Sequence, residues 1–183
     1  MPLVRVSDVF ELRPLSYDHP DAEVLTERAQ EYYVDIYGGR DEDPLAAAEL
    51  TPPHGGFVLG YLDGEPVAMG GWVLVDGPES TRAYGARVAQ IRRMYVDAGL
   101  RRRGLATAVL AHLETDAARF GVTMIILATG QPQVEAISLY RRHGYRDIAP
   151  FGYYAGGDLV VCLGKDLSLE ASRPDRPADQ PTS

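Results

Sequence analysis

Residues 123–129 read TMIILAT, an unbroken apolar run of strand length between two helical patterns. A strand with one wet face alternates apolar and polar side chains, whereas an unbroken run must be covered on both faces. This segment therefore belongs at the centre of a sheet that carries helices on both sides.

The rest of the chain supplies the partners such a strand needs. Residues 9–15 (VFELRPL) alternate well enough for a first strand. Over residues 21–37, Val24, Leu25, Ala29, Tyr32, Tyr33, Ile36 and Tyr37 form a helical stripe, ended by Gly38 and Gly39. A polar, proline-bearing loop follows, with one helical turn at 45–50. Residues 57–62 and 66–75 flank Asp63-Gly64, a dipeptide suited to a two-residue hairpin turn. Residues 87–96 form another strand. Residues 102–120 have helical spacing at Ala106, Val109, Leu110, Leu113, Ala117 and Phe120, stopped by Gly121. Residues 132–143 predict a further helix, with a proline near its start and Gly144 past its end. Residues 145–148 and 159–163 close the sheet. The order β-α-β-β-β-α-β-α-β-β predicts an α/β (α+β) fold built on a mixed sheet.

Composition bounds the function. The chain has 183 residues and 45% hydrophobic content, which suits one compact domain with a short appendage. Eighteen basic against 26 acidic residues give a net charge of −8. A general nucleic-acid binder carries a basic footprint, so that class is disfavoured. No stretch approaches the ~20 apolar residues that cross a bilayer, and the N-terminus lacks the apolar centre of a secretory signal. The single cysteine, Cys162, leaves no disulfide framework and no cysteine-rich zinc site. Within LVVCL it reads as a small buried apolar residue. These features predict a cytoplasmic protein with no metal, nucleic acid or membrane among its partners. The segment 168–183 (SLEASRPDRPADQPTS) is too poor in apolar residues to offset its ordering entropy, so it is expected to be a disordered tail on a domain spanning 1–167.

Positive charge is unevenly placed. Arg92, Arg93, Arg101, Arg102 and Arg103 fall within a dozen positions of an acidic chain, which suggests a small anionic ligand. The sharpest segment is 96–106 (VDAGLRRRGLA), a strand end, an arginine loop and a helix with Gly104 in its opening turn. A helix N-terminus presents unpaired N–H groups and the positive end of its dipole to an anion. Gly104 lets that anion approach the backbone, and Ala106 keeps the next turn small. The alternative is a solvated arginine loop whose glycine serves tight helix–strand packing. There is no G-x-x-x-x-G-K-[ST] and no G-x-G-x-x-G after a strand, which removes the P-loop and Rossmann readings.

The hexapeptide RRRGLA at 101–106 resembles the R/Q-x-x-G-x-G/A signature of the GNAT family of N-acetyltransferases. The segment AISLYRRHGY at 136–145 resembles that family's second block, A-x-x-L/F-Y-x-x-x-G-F/Y. Gln131, Pro132 and the late Lys165-Asp166-Leu167 are similar to one bacterial branch. The resemblance spans residues 57–165 and implies a mostly antiparallel, twisted sheet of six to seven strands with helices on both faces. It implies an acetyl-CoA-dependent enzyme that moves an acetyl group directly to a primary amine, with acetyl-CoA as co-substrate, and it allows a homodimer. Arg101, Arg102, Arg103, Gly104, Leu105, Ala106 and Thr107 would hold the pyrophosphate. Met94, Tyr95 and Val96 would lie where the fourth strand bulges and splays from the fifth, leaving backbone groups for pantetheine. Tyr140 would protonate the departing thiolate; its alternative role is core packing, since it shares a helical face with Ala136 and Ile137. Gln133 stands where the family often has asparagine.

Gln90 stands where many members carry a glutamate that takes the amine's proton, and glutamine cannot do so at physiological pH. The neutral amine would then arise through a water chain to a more distant carboxylate or from bulk solvent. A non-catalytic acyl-CoA-binding or protein-interaction module on the same fold is the rival reading. Tyr32, Tyr33, Tyr37, Tyr153 and Tyr154 are read as partial core able to line an acceptor pocket. Asp41, Glu42 and Asp43 are read as a solvated loop able to attract a cationic acceptor.

Overall fold

The computed structural model describes residues 9–75, 83–84, 87–152 and 155–168. The chain runs β1 (Phe10–Pro14), α1 (Pro20–Tyr37), β2 (Gly55–Leu62), β3 (Glu65–Leu74), β4 (Val88–Val96), α2 (Leu105–Arg119), β5 (Met124–Gly130), α3 (Val134–Arg142), β6 (Arg146–Asp147) and β7 (Val160–Asp166). Short 3-10 turns lie at Ala47–Leu50 and Ala98–Leu100. The seven strands form one sheet in the order β1-β2-β3-β4-β5-β7-β6. Only β4 and β5 pair in parallel; the other neighbours are antiparallel. This is the mixed, mostly antiparallel sheet that the element order and the resemblance imply.

Local chemistry sets the boundaries. His19 caps α1 by accepting the Asp21 N–H on Nδ1 (3.2 Å), and Pro20 occupies the first turn, where a missing N–H costs nothing. Asp63 and Gly64 both take left-handed φ angles (51° and 90°), as the two-residue turn between β2 and β3 requires. The helix expected over 102–120 begins only at Leu105, because Arg102 (φ 65°) and Gly104 (φ 81°) are left-handed and cannot join a right-handed helix. The helix expected from Pro132 begins at Val134. Residues 169–183, and with them nearly all of the expected tail, lie outside the described residues, as do Tyr153 and Tyr154.

The helices cover both faces. Side chains of β2 alternate across the sheet: Phe57, Leu59 and Tyr61 pack with Ala22, Leu25 and Ala29 of α1, and Val58 packs on the other face with Val109, Leu110 and Leu113 of α2. The unbroken apolar run becomes β5, between β4 and β7, with Ile125, Ile126 and Leu127 all at most 2% exposed. Two carboxylates anchor α2. Trp72 Nε1 donates to Asp116 Oδ2 (2.8 Å), while the Tyr145 hydroxyl and Lys165 Nζ donate to the two oxygens of Glu114 (2.9 and 3.0 Å). The Lys165–Glu114 pair is buried. These ties fix the helix whose N-terminus faces the site.

Candidate active site

The site begins where the sheet forks. β4 and β5 pair only at Val88↔Met124, Ala89↔Ile125 and Gln90↔Ile126. Beyond that rung β4 continues to Val96 and β5 to Gly130, with no pairing between them. Gln90 therefore stands at the apex of the fork, and the backbone groups on the β5-facing edge of β4 are left without a ladder partner. A backbone group away from water needs one, so the open edge is suited to a ligand that brings its own amides.

A bulge redirects β4 inside this fork. Its register with β3 runs Ala68↔Val96 and Met69↔Tyr95, then jumps to Gly71↔Arg92. Arg93 and Met94 thus face the single residue Gly70, the two-against-one count of a bulge. Arg93 takes a left-handed φ of 58°. A side chain on Gly70 would run into Met94, Val109 and Leu113, so glycine there lets β3 lie close under the bulged segment.

One lip of the fork is the loop into α2. Gly104 caps the helix at φ 81°, and a Cβ added there would meet nothing within 4 Å. Arg102, Arg103 and Gly104 are exposed; Leu105 is buried under the first turn, and Ala106 and Thr107 are half-buried above it. The first N–H groups of α2 therefore face open space at a glycine with no side chain in the way. Arg101 turns back: its guanidinium lies over the Tyr32 ring of α1 (4.3 Å to the centroid), and its Nε donates to the Val96 carbonyl (3.4 Å). The arrangement suits a diphosphate bridged by backbone donors.

The other lip is the start of α3. Gln133 Nε2 donates to the Tyr37 hydroxyl (2.8 Å), and that hydroxyl rests against Gly130, where any Cβ would collide with it. The last two turns of α1 thus reach both lips, through Tyr32 to Arg101 and through Tyr37 to Gln133. Tyr140, on α3, is buried in the core and packed edge-on against Tyr145 (5.6 Å). Burial raises its hydroxyl well above the ordinary tyrosine range, with Tyr33 adding to the effect, so the hydroxyl keeps its proton at physiological pH. Burial foremost, and then Asp41, pushes Tyr33 up to about 12.

The acidic loop departs from its expected character. Asp41 pairs with Arg93 and Asp43 with Arg92, each at 2.8 Å, and all four side chains are largely shielded from water. Asp41 and Asp43 are not solvated lures for a cation; they neutralise two of the five clustered arginines. Burial raises the Asp43 carboxyl above its ordinary value, against the pull of Arg92. Sequence reasoning passed over these pairs. The available signal was Arg92-Arg93 itself, since adjacent charges on a strand inside the sheet must find partners on both faces. Among the described residues, no three His, Cys, Asp or Glu side chains gather into a metal-holding group. Cys162 is buried.

The sequence model of the acetyltransferase (GNAT) family matches residues 22–145, which include both blocks. An IAA acetyltransferase from Azospirillum brasilense is 27% identical over 143 residues, covering 78% of this chain and 88% of its own. A candidate acyl-CoA N-acyltransferase from Klebsiella pneumoniae superposes with a TM-score of 0.66 at 24% identity, over 87% of this chain and 98% of its own. The PaiA N-acetyltransferase from Thermoplasma acidophilum, solved in complex with coenzyme A, superposes with a TM-score of 0.64 at 14% identity, over 86% and 99%. At such identities the superpositions speak for the fold. The sequence match, which carries both blocks and most of the folded chain, speaks for descent: this chain belongs to the GNAT family of N-acetyltransferases.

Proposed function

We propose that the chain, as one domain over residues 1–167, transfers the acetyl group of acetyl-CoA directly to a primary amine in the cytoplasm. What supports this reading most is the fork, in which the β4 edge beyond Gln90 has no β5 partner and the loop after β4 ends on the glycine-led N-terminus of α2. The diphosphate would rest on the N–H groups of Gly104, Leu105, Ala106 and Thr107, with Arg102 and Arg103 adding charge. Arg101 would brace that loop from Tyr32, and Gln133 would close the opposite lip. Pantetheine amides would extend the β4 ladder at Met94–Val96. Backbone N–H there would stabilise the oxyanion that forms when the amine attacks the thioester carbonyl. Collapse breaks the carbon–sulfur bond and Tyr140 gives its proton to the sulfur, while the attacking nitrogen releases its extra proton to solvent, from which Tyr140 is reprotonated. The product is an amide and free CoA.

The amine must arrive neutral. Gln90, at the apex, cannot accept a proton, and Asp41 and Asp43 are engaged by arginines. The proton leaves before attack, to bulk solvent or along a water chain to a more distant carboxylate, and kcat/KM rises with pH towards the pKa of the acceptor amine. CoA release measured across a panel of amines tests the reading. Release with at least one amine supports it; tight acetyl-CoA binding with no turnover across the panel would favour the binding-module alternative.

A further inference from the structure

Beyond Gln90, β4 has a ladder neighbour only on its β3 side, and the bulge interrupts even that one. The bulge leaves Arg93 and Met94 outside the ladder, which resumes at Tyr95↔Met69 and Val96↔Ala68, so the sheet itself fixes the backbone weakly at Arg93–Met94, where the Met94–Val96 segment begins. Arg93 supplies a second constraint. A bulky residue in the left-handed region is strained, where glycine would be free to sit. Yet the side chain is only 13% exposed and uses all three nitrogens: Nη1 donates to Asp41 Oδ2 (2.8 Å), Nη2 to the Asp43 carbonyl (2.8 Å) and Nε to the Tyr17 hydroxyl (3.2 Å). Tyr17 precedes α1 and residues 41–43 follow it, so one guanidinium ties the bulge to both ends of that helix. Gln30, buried on α1, holds Asp41 from the other side by accepting its N–H (2.8 Å) and donating to its carbonyl (3.1 Å).

We propose that Arg93 is a positioning residue for acyl transfer, its tether to Asp41, Asp43 and Tyr17 fixing the direction in which the backbone amides of Met94–Val96 face the fork. This rests on the acetyl-CoA reading above. The planar fork of arginine suits it, because three donors in fixed directions set an orientation that a single ammonium cannot.

The experiment compares full-length parent, Arg93→Gly and Arg93→Lys. Glycine keeps the left-handed backbone and removes the tether; lysine keeps a charge for Asp41 but cannot hold all three partners. The first readout is the infrared stretch of acetyl-CoA labelled with carbon-13 at the thioester carbonyl, with affinity measured by calorimetry. The parent should lower the stretch relative to free acetyl-CoA. Arg93→Gly should lose at least half of that shift with affinity within threefold of the parent, and Arg93→Lys should fall between. A full shift in Arg93→Gly, or an unshifted carbonyl in the parent complex, would overturn the proposal. The second readout needs no ligand: the nitrogen-15 amide resonances of Met94, Tyr95 and Val96 should move or broaden in Arg93→Gly while those of Ile125–Leu127 stay in place. If they do not move, the proposal fails. Absence of acetyl-CoA binding by the parent would refute the functional reading instead, leaving the amide measurement to decide on the tether. Should Arg93→Gly not fold, Asp41→Asn, which removes the partner's charge, takes its place in both measurements.

Discussion

The two loops that border β4 are built on opposite plans. The loop leading into α2 is open: Gly104 is exposed with no side chain near it, and the site it offers is made of backbone. The loop following α1 is bolted down, with Asp41 and Asp43 paired to Arg93 and Arg92 and Gln30 gripping the Asp41 backbone. One loop brings a glycine-led helix start to the surface; the other spends its charges on the protein. The difference teaches that a helix terminus can wait unfilled in water at little cost, whereas a bulged, half-paired strand must be held by side chains from elsewhere.

The largest effect should come from filling the open loop. Gly104→Glu places bulk and negative charge at the helix start, so acetyl-CoA affinity should fall beyond calorimetric detection. Gly104→Asn, which tolerates the left-handed angle, is the control for backbone strain and should bind within about tenfold of the parent. Comparable affinity in Gly104→Glu would break the contrast between the two loops.

Next in size is Tyr140→Phe. It keeps the ring against Tyr145 and removes the donor, so kcat with a verified acceptor should drop by about 10²–10⁴, with acetyl-CoA affinity little changed. A kcat within threefold of the parent would make Tyr140 a core residue only.

The bolted loop should respond in stability. Asp43→Ala leaves the shielded Arg92 guanidinium without its carboxylate and should cost about 1–3 kcal/mol in urea unfolding. Arg102→Ala, in the exposed loop, should stay within about 0.5 kcal/mol. Equal costs would erase the distinction.

The smallest effect concerns alkaline pH. Tyr33, pushed up to about 12, and Tyr140, raised further, hold their protons in the folded state past the point where an unfolded tyrosine, near 10, has lost its own. The unfolded chain then binds fewer protons than the folded one, so stability is complete below pH 10 and declines as pH climbs from 10 through 12. Melting temperatures over pH 8–11.5 check the sign, and Tyr33→Phe should flatten the decline.

What could be read in the sequence divides along the same line. The unbroken run of β5, the Asp63-Gly64 hairpin and the glycine-stopped helices are local signals, and all appear within a few residues of their expected places. Gly104 at the head of α2 was legible for the same reason, since a glycine beside a helical pattern is a local signal. The start of α2 was misjudged by three residues because no sequence rule assigns Arg102 a left-handed angle. The ties of Arg92 and Arg93 to residues some fifty positions earlier were not legible: a charged residue does not announce its partner. Gln133 was singled out as standing where the family often has asparagine, but its bond to Tyr37 depends on how α1 lies across the fork.

The buried ion pair under α2 has a chemical consequence. Lys165 is the only lysine in the sequence, and its ammonium is enclosed with Glu114. An enzyme that handles activated acetyl groups thus offers no side-chain amine of its own to them. Self-modification, a standing hazard for proteins that work beside a reactive thioester, has no exposed ε-nitrogen to attack. Incubated with acetyl-CoA or an amine-directed label, the folded protein has only its terminal amine to surrender, and Lys165 becomes reactive when unfolding releases it.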